Sequence, residues 1–189
     1  MRSLTSEIGR KAIHLGAIIL PVGYYILPET QGRRILLILT LISLVVDMVR
    51  LNEPRIRTFF YYFFGRLVRD HERYNLLGST YVLLACLISI YTFNKPIAVA
   101  SLCFLIVGDT MAALVGRTFG RIPILSKTLE GSLACFISCV VIGLIIPGLS
   151  LKMILGGAFV ATLFELLPLP LDDNLRIPLS AGFTMMLLS

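Results

Sequence analysis

The sequence predicts an all-α, multi-pass integral membrane protein of about seven transmembrane helices with its N-terminus in the cytoplasm. Of its 189 residues, 57% are hydrophobic and 15% charged, whereas a soluble domain carries about a quarter charged residues. Several apolar runs reach the roughly 17–25 residues a helix needs to cross a bilayer. The cations cluster beside those runs, as topology signals do. A single soluble core is a poor alternative, since helices apolar all round need lipid or a much larger protein around them.

The first helix covers about residues 12–28, between Arg10-Lys11 and Pro28. No A-x-A-like site follows it, so it reads as a retained helix, not a cleaved signal peptide. The second, 33–50, stops before Asn52-Glu53-Pro54, with Asp47 and Arg50 placed at i, i+3 to form an intrahelical ion pair. The basic loop Arg50–Arg73 contains FFYYFFGRLVR, and aromatics beside arginines suit an interfacial helix on an anionic lipid surface. Helices over 79–94 and 96–116 are parted by Asn94-Lys95-Pro96, and those over 132–147 and 151–168 by Pro147-Gly148. Pro168-Leu169-Pro170 precedes a last helix over 176–188. No repeat, low-complexity tract or linker interrupts the chain, so residues 1–189 form one domain.

Counted on alternate sides of these helices, thirteen cations fall on one side: Arg2, Arg10, Lys11, Arg50, Arg55, Arg57, Arg66, Arg69, Arg73, Arg117, Arg121, Lys127 and Arg176. Four, Arg33, Arg34, Lys95 and Lys152, fall on the other. The positive-inside rule puts the richer side in the cytoplasm and, with seven spans, the C-terminus outside. The net charge of +6 is thereby absorbed, and without an aromatic-interleaved basic platform or finger spacing nucleic acid is not expected as a partner. All acids but Glu29 also fall on the inner side, which topology signalling does not require. Glu53, Asp70 and Glu72 read as a solvated rim. Asp47, Asp109 and Glu165 are lodged in helix ends, where burial near lipid is costly without a partner or a purpose. Cys86, Cys103, Cys135 and Cys139 lie inside apolar segments, away from any disulfide or zinc pattern. Cys135 and Cys139 form with Gly131 and Gly143 a small-residue stripe suited to close helix packing.

Four groups of residues can carry chemistry. Glu7, Arg10, Lys11 and His14 share one helix face, which can hold a phosphate or simply snorkel at the interface. Asp109, Ala112, Ala113, Gly116 and Gly120 make a face with little bulk, where a helix or a ligand's phosphates can approach the backbone. Asp109 there can offer oxygens to Mg²⁺, which takes one or two carboxylates plus substrate phosphates; Arg117, Arg121 and Lys127 can neutralise phosphate charge. Thr128 to Ser132 open a helix whose N-terminal N–H groups favour an anion, with Glu130 either complementing the dipole or binding metal. Glu165 and Asp172-Asp173-Asn174 add carboxylates at the inner interface. GRIPILSKT is not a phosphate-binding P-loop: Arg121 and Ser126 stand where its glycines belong.

The stretch GDTMAALVGRTFGR … SKTLEGSLACF, over Gly108–Phe136, resembles the signature of the CTP-dependent polyprenol kinase family, which includes dolichol kinase, phytol kinase and CTP-dependent diacylglycerol kinase. E-x-x-R-K-x-x-H at Glu7–His14, LLGSTYVLL at Leu76–Leu84 and ELLPLPLDDNLRIPL at Glu165–Leu179 extend the resemblance over nearly the whole chain. The resemblance implies an integral membrane enzyme that moves the γ-phosphate of CTP, with Mg²⁺ or another divalent cation, onto a lipid alcohol at the cytoplasmic face. Asp109, Asp173 and Glu130 are then the metal candidates. Lys127, Arg117 and Thr128, with Gly116, Gly120 and Gly131, belong to the nucleotide site, and Arg10, Lys11 and His14 form a second phosphate or headgroup contact. Lys127 joins Asp109, Glu130 and His14 among the catalytic candidates, the last three being candidate bases. The acceptor (polyprenol, phytol or geranylgeraniol, diacylglycerol) is left open, as is a homo-oligomer. Phosphatidate cytidylyltransferases carry a similar K-T-x-E-G stretch, but Leu125-Ser126 here lack their proline and Asp172-Asp173-Asn174 lacks their acidic pattern. A small transporter or assembly subunit is a third reading, without the inverted repeat it calls for.

Overall fold

The computed structural model describes residues 4–65, 67–68 and 71–189, with residues 4–8 and 71 described for the backbone alone. Arg2, Arg66, Arg69 and Asp70, and the side chain of Glu7, lie outside the described residues. Among the described residues the regular structure is helical apart from one minimal hairpin, and all seven expected helices are present with shifted ends.

The first is two helices, α1 (Leu4–Gly16) and α2 (Ile19–Ile26). Pro21 has no N–H to give to the Ala17 carbonyl, which accepts from Leu20 at 3.0 Å instead, and the chain turns tightly there. Helix α3 (Glu29–Asn52) starts directly after Pro28 and runs 24 residues. Pro54 opens α4 (Pro54–Phe64) at a position where a missing N–H costs nothing. After a short 3₁₀ turn at His71–Arg73 come α5 (Gly78–Thr92) and α6 (Lys95–Cys103), the latter capped by Asn94 accepting from Ile97 N–H. A π-helical stretch, Phe104–Gly108, joins α6 to α7 (Asp109–Thr118) without a break. Strands β1 (Pro123–Ile124) and β2 (Lys127–Thr128) pair antiparallel ahead of α8 (Leu129–Ile145), α9 (Leu151–Leu166) and α10 (Asp173–Leu187). The sequence pattern carried no sign of the hairpin, whose turn holds Leu125 at a φ of 54°.

Two helical stretches, Glu29–Asn52 and Lys95–Thr118, are long and apolar enough to cross a membrane. The helices α5, α8, α9 and α10 have 15, 17, 16 and 15 residues, at or below the roughly 17-residue minimum for a full crossing. Helix α6 lies at the centre, with Ile97 to Cys103 all buried, packed by α5, α8 and α10. Around it, apolar side chains point outward: Leu133, Ile137, Val141 and Leu144 form an exposed stripe on α8. The opposite face of α8 is the small-residue stripe. A Cβ on Gly108 would stand 2.9 Å from Cys139 Sγ, and one on Gly131 2.7 Å from the Ala112 carbonyl oxygen, while Gly143 meets Ile154 of α9. The four cysteines are free and buried, in the packing role their positions suggest.

Asp47 and Arg50 do more than pair with each other. They are 0% and 1% exposed. Arg50 donates to Asp47 Oδ1 (2.9 Å from Nε), to the Tyr61 hydroxyl on α4 (3.0 Å), and to the carbonyls of Glu72 (3.0 Å) and Asn75 (2.7 Å). Asp47 Oδ2 accepts from Leu77 N–H (2.9 Å) and Thr80 Oγ1 (2.6 Å). One buried pair thus holds the end of α3 to α4, to the loop before α5 and to α5 itself.

Removing one member of a buried pair leaves an uncompensated charge, so Arg50→Leu is expected to cost about 3–5 kcal/mol, read as a lowered thermal transition of the purified protein. Gly131→Ala drives a methyl against backbone and is expected to cost about 1–3 kcal/mol in the same measurement.

Candidate functional site

The fold brings together residues far apart in the chain. Lys11, on α1, reaches α7: its Nζ lies 2.6 Å from Asp109 Oδ2 and 3.3 Å from the Asp109 carbonyl. His14, one turn along α1, places Nε2 3.5 Å from the same carboxylate oxygen. The π-helical stretch ends at Gly108, and by inserting an extra residue into the helical ladder it sets the direction in which Asp109 leaves the helix.

Lys127 sits on β2. Its ammonium donates to both the carboxylate and the backbone carbonyl of Glu165, at the end of α9. Glu165 is 2% exposed, and its Oε2 has no hydrogen-bond partner among the described residues. Thr128 is the N-cap of α8, accepting from Gly131 N–H at 3.3 Å, which fixes the positive end of that helix beside Lys127. Asp173 opens α10 and pairs with Arg176, after Asp172 caps the helix by accepting from Asn174 N–H.

Two cavities meet at these groups. One, of about 410 Å³, is polar: Arg10, Lys11, Arg117 and Lys127 line it together with Asp109, Glu165 and Asp173, and Thr128, Ser126, Ser132, Gly116 and Gly131 supply hydroxyls and open backbone. The other, of about 590 Å³, is walled mainly by apolar side chains of α1 to α5, among them Ile13, Leu20, Leu39, Phe60, Phe64 and Val82. Its polar lining is Arg10, Lys11, His14, Asp109, Glu72, Ser79 and Asn174. Arg10, Lys11 and Asp109 belong to both. An anionic ligand in one cavity and an apolar ligand in the other would touch the same carboxylate and the same ammonium.

The expected site residues whose side chains are described therefore line these cavities, apart from Arg121, which is exposed and lines neither, and from Gly120 and Glu130. Gly120 lines neither cavity; a Cβ there would strike the Gly116 carbonyl at 2.1 Å and the Thr128 side chain, so it serves the close packing of the hairpin. Glu130 also lies outside both. Its carboxylate is bonded by its own backbone N–H and by those of Arg121 and Ile122, the last at 3.3 Å, and this holds its pKa below the usual carboxylate range. These bonds are the ones expected of Glu130 as a cap at the start of α8. Among the described residues no three metal-ligating side chains cluster. Asp109 and Asp173 share the polar cavity instead with Glu165, whose Oε2 is buried without a partner among the described residues. Glu165 is the site residue that the motifs did not assign. The signal for it was the cost of an acid inside an apolar helix. Ser126, Ser132, Ser79 and Asn174 had no such signal.

The chain is 32% identical over 184 residues to an uncharacterized protein of Rickettsia prowazekii, covering 92% of this chain and 90% of that one. It is 32% identical to the CTP-dependent diacylglycerol kinase 1 of Eremothecium gossypii, over 94% of this chain and 66% of the relative, just under two thirds of its length. With the CTP-dependent diacylglycerol kinase 1 of Saccharomyces cerevisiae the identity is 30%, over 95% of this chain and 72% of the relative. A protein of Triticum aestivum described as a probable chloroplastic phytol kinase is 30% identical over 65% of this chain and 48% of its own. No family model and no solved structure matches. By these relatives, the chain belongs to the family of CTP-dependent lipid kinases.

Proposed function

We propose that this protein is a multi-pass membrane enzyme that transfers the γ-phosphate of CTP to the hydroxyl of a membrane lipid alcohol at the cytoplasmic face. The observation that carries the reading is the meeting of a polar and an apolar cavity at Lys11 and Asp109. Nucleotide comes from water and alcohol from lipid, so the reaction needs both compartments to open on one point. The elements that line the cavities, α1, the β1–β2 hairpin, the end of α9 and the start of α10, are those that the cation count assigns to the inner side.

Phosphoryl transfer asks for positioning and charge neutralisation more than covalent chemistry. Lys127, Arg117, Arg10 and Lys11 neutralise the phosphates, and the Thr128-capped start of α8 presents N–H groups to them. Gly116 and Gly131 let phosphate oxygens approach the backbone. Asp109, with Asp173 or Glu165, would hold a divalent cation together with the nucleotide's phosphates, and the cation would supply charge neutralisation there. The lipid oxygen forms its bond to the γ-phosphorus as the bond to the CDP oxygen breaks. The hydroxyl proton passes to His14 or Asp109, which face the apolar cavity. The acceptor is a diacylglycerol, phytol, geranylgeraniol or polyprenol; all present one hydroxyl at headgroup depth on an apolar body.

The test supplies purified protein with magnesium, CTP labelled at the γ-phosphate, and a panel of lipid alcohols and phosphatidate. Label on an alcohol with release of CDP is the expected outcome. Label only in pyrophosphate, with phosphatidate consumed, identifies a cytidylyltransferase instead. Asp109→Asn and Lys127→Ala are each expected to lower kcat/KM for CTP by roughly 100-fold or more, whereas Glu130→Gln, outside both cavities, keeps near wild-type turnover. Glu165→Gln removes the charge that holds Lys127 and is expected to raise the magnesium concentration for half-maximal rate; an unchanged magnesium dependence would remove Glu165 from the site.

A further inference from the structure

Helix α4 is covered on one face only. Arg57 donates to the carbonyls of Arg50 and Leu51 at the end of α3, and Tyr61 is held by Arg50. Phe60 and Phe64 form part of the apolar cavity's wall. On the opposite face Ile56, Phe59, Tyr62 and Phe63 are 45%, 68%, 84% and 59% exposed. Their spacing of three, four and seven makes one continuous surface; Arg55 is exposed at the start of α4 and Arg73 is exposed over the Tyr61 ring, and among the described residues from 53 to 74 Glu53 is the one exposed acid. Eleven residues span about 16 Å, too short to cross a hydrocarbon core of about 30 Å. Pro54 turns the chain off the axis of α3 at that helix's inner end. A short helix that cannot cross, with an aromatic outer face and exposed arginines beside it, is matched by one environment: the boundary of headgroups and acyl chains, about 5–10 Å deep, on an anionic surface.

Resting on the membrane reading above, we infer that α4 lies along the anionic surface of the cytoplasmic leaflet and forms the wall beneath which the lipid acceptor enters the apolar cavity. Its outer face touches lipid while Phe60 and Phe64, on its inner face, touch the acceptor. The acceptor then reaches Asp109 sideways from the leaflet without passing through water.

The chain contains no tryptophan, so Tyr62→Trp introduces a single reporter. The protein is reconstituted in phosphatidylcholine vesicles with and without phosphatidylglycerol, using lipids brominated either high on the acyl chain or near its end. The expected result is a blue-shifted emission, quenched more by the shallow bromines, and more strongly with phosphatidylglycerol present. Quenching by aqueous iodide, equal quenching by deep bromines, protection from both quenchers as a second copy of the chain would give, or indifference to phosphatidylglycerol each overturns the inference. The portal is read separately: Phe59→Asp with Phe63→Asp is expected to raise KM for a long-chain acceptor in vesicles several-fold while KM for CTP stays fixed. Unchanged KM for both overturns it. Failure of the wild-type protein to transfer label, with the tryptophan still at shallow depth, would count against the kinase reading and leave the placement of α4 standing.

Discussion

A charge buried beside apolar side chains has to be met by other polar groups, and the pair Asp47–Arg50 is where this requirement organises the molecule. Both are sealed from solvent, so Arg50 must find partners for its donors and Asp47 for its oxygens. They find them on three segments that share no local sequence relation: Tyr61 on α4, the carbonyls of Glu72 and Asn75, and the start of α5 at Leu77 and Thr80. Those segments supply much of the wall of the apolar cavity. The pair costs desolvation and is weak evidence for net stability. Its consequence is geometric, in that the wall can close in one arrangement only.

The same rule takes a different form at the polar cavity. Lys11 meets Asp109 and Lys127 meets Glu165, so these charges are also paired, but each pair borders open space. Glu165 keeps one oxygen without a partner, and Asp109 is shared by Lys11 and His14. On the function proposed above, an arriving polyphosphate would take over the lysines while a cation takes the carboxylates. Sealed pairs hold the frame; the pairs that face the cavity can exchange partners.

Close backbone approach puts those charges within reach of one another. Gly108 against Cys135 and Cys139, and Gly131 against Ala112 and Gly116, allow α7 and α8 to touch along their length. The hairpin that bears Lys127 is held down by Gly120 and by Glu130, which bonds Ile122 N–H. A bulkier face on either helix would widen the polar cavity and part Lys127 from Asp109.

The sequence by itself determined where the helices are, because apolar periodicity and the prolines and glycines between runs act within a few residues. It also determined the small-residue stripe of α8, and the acids and bases from which Asp109, Lys127 and Thr128 were legible as one group, which the structure brings to the polar cavity. Local pattern missed the break at Ala17–Ile18, where Pro21 withholds a donor, and left Glu130 open between a cap and a metal ligand. Only the tertiary structure decided which charges meet. Lys11 and Asp109 are 98 residues apart and Lys127 and Glu165 are 38 apart, so no spacing rule relates them. Their pairing, and the two cavities that join at it, follow from how the helices pack, which is set by contacts between faces and not by the residues adjacent in the chain.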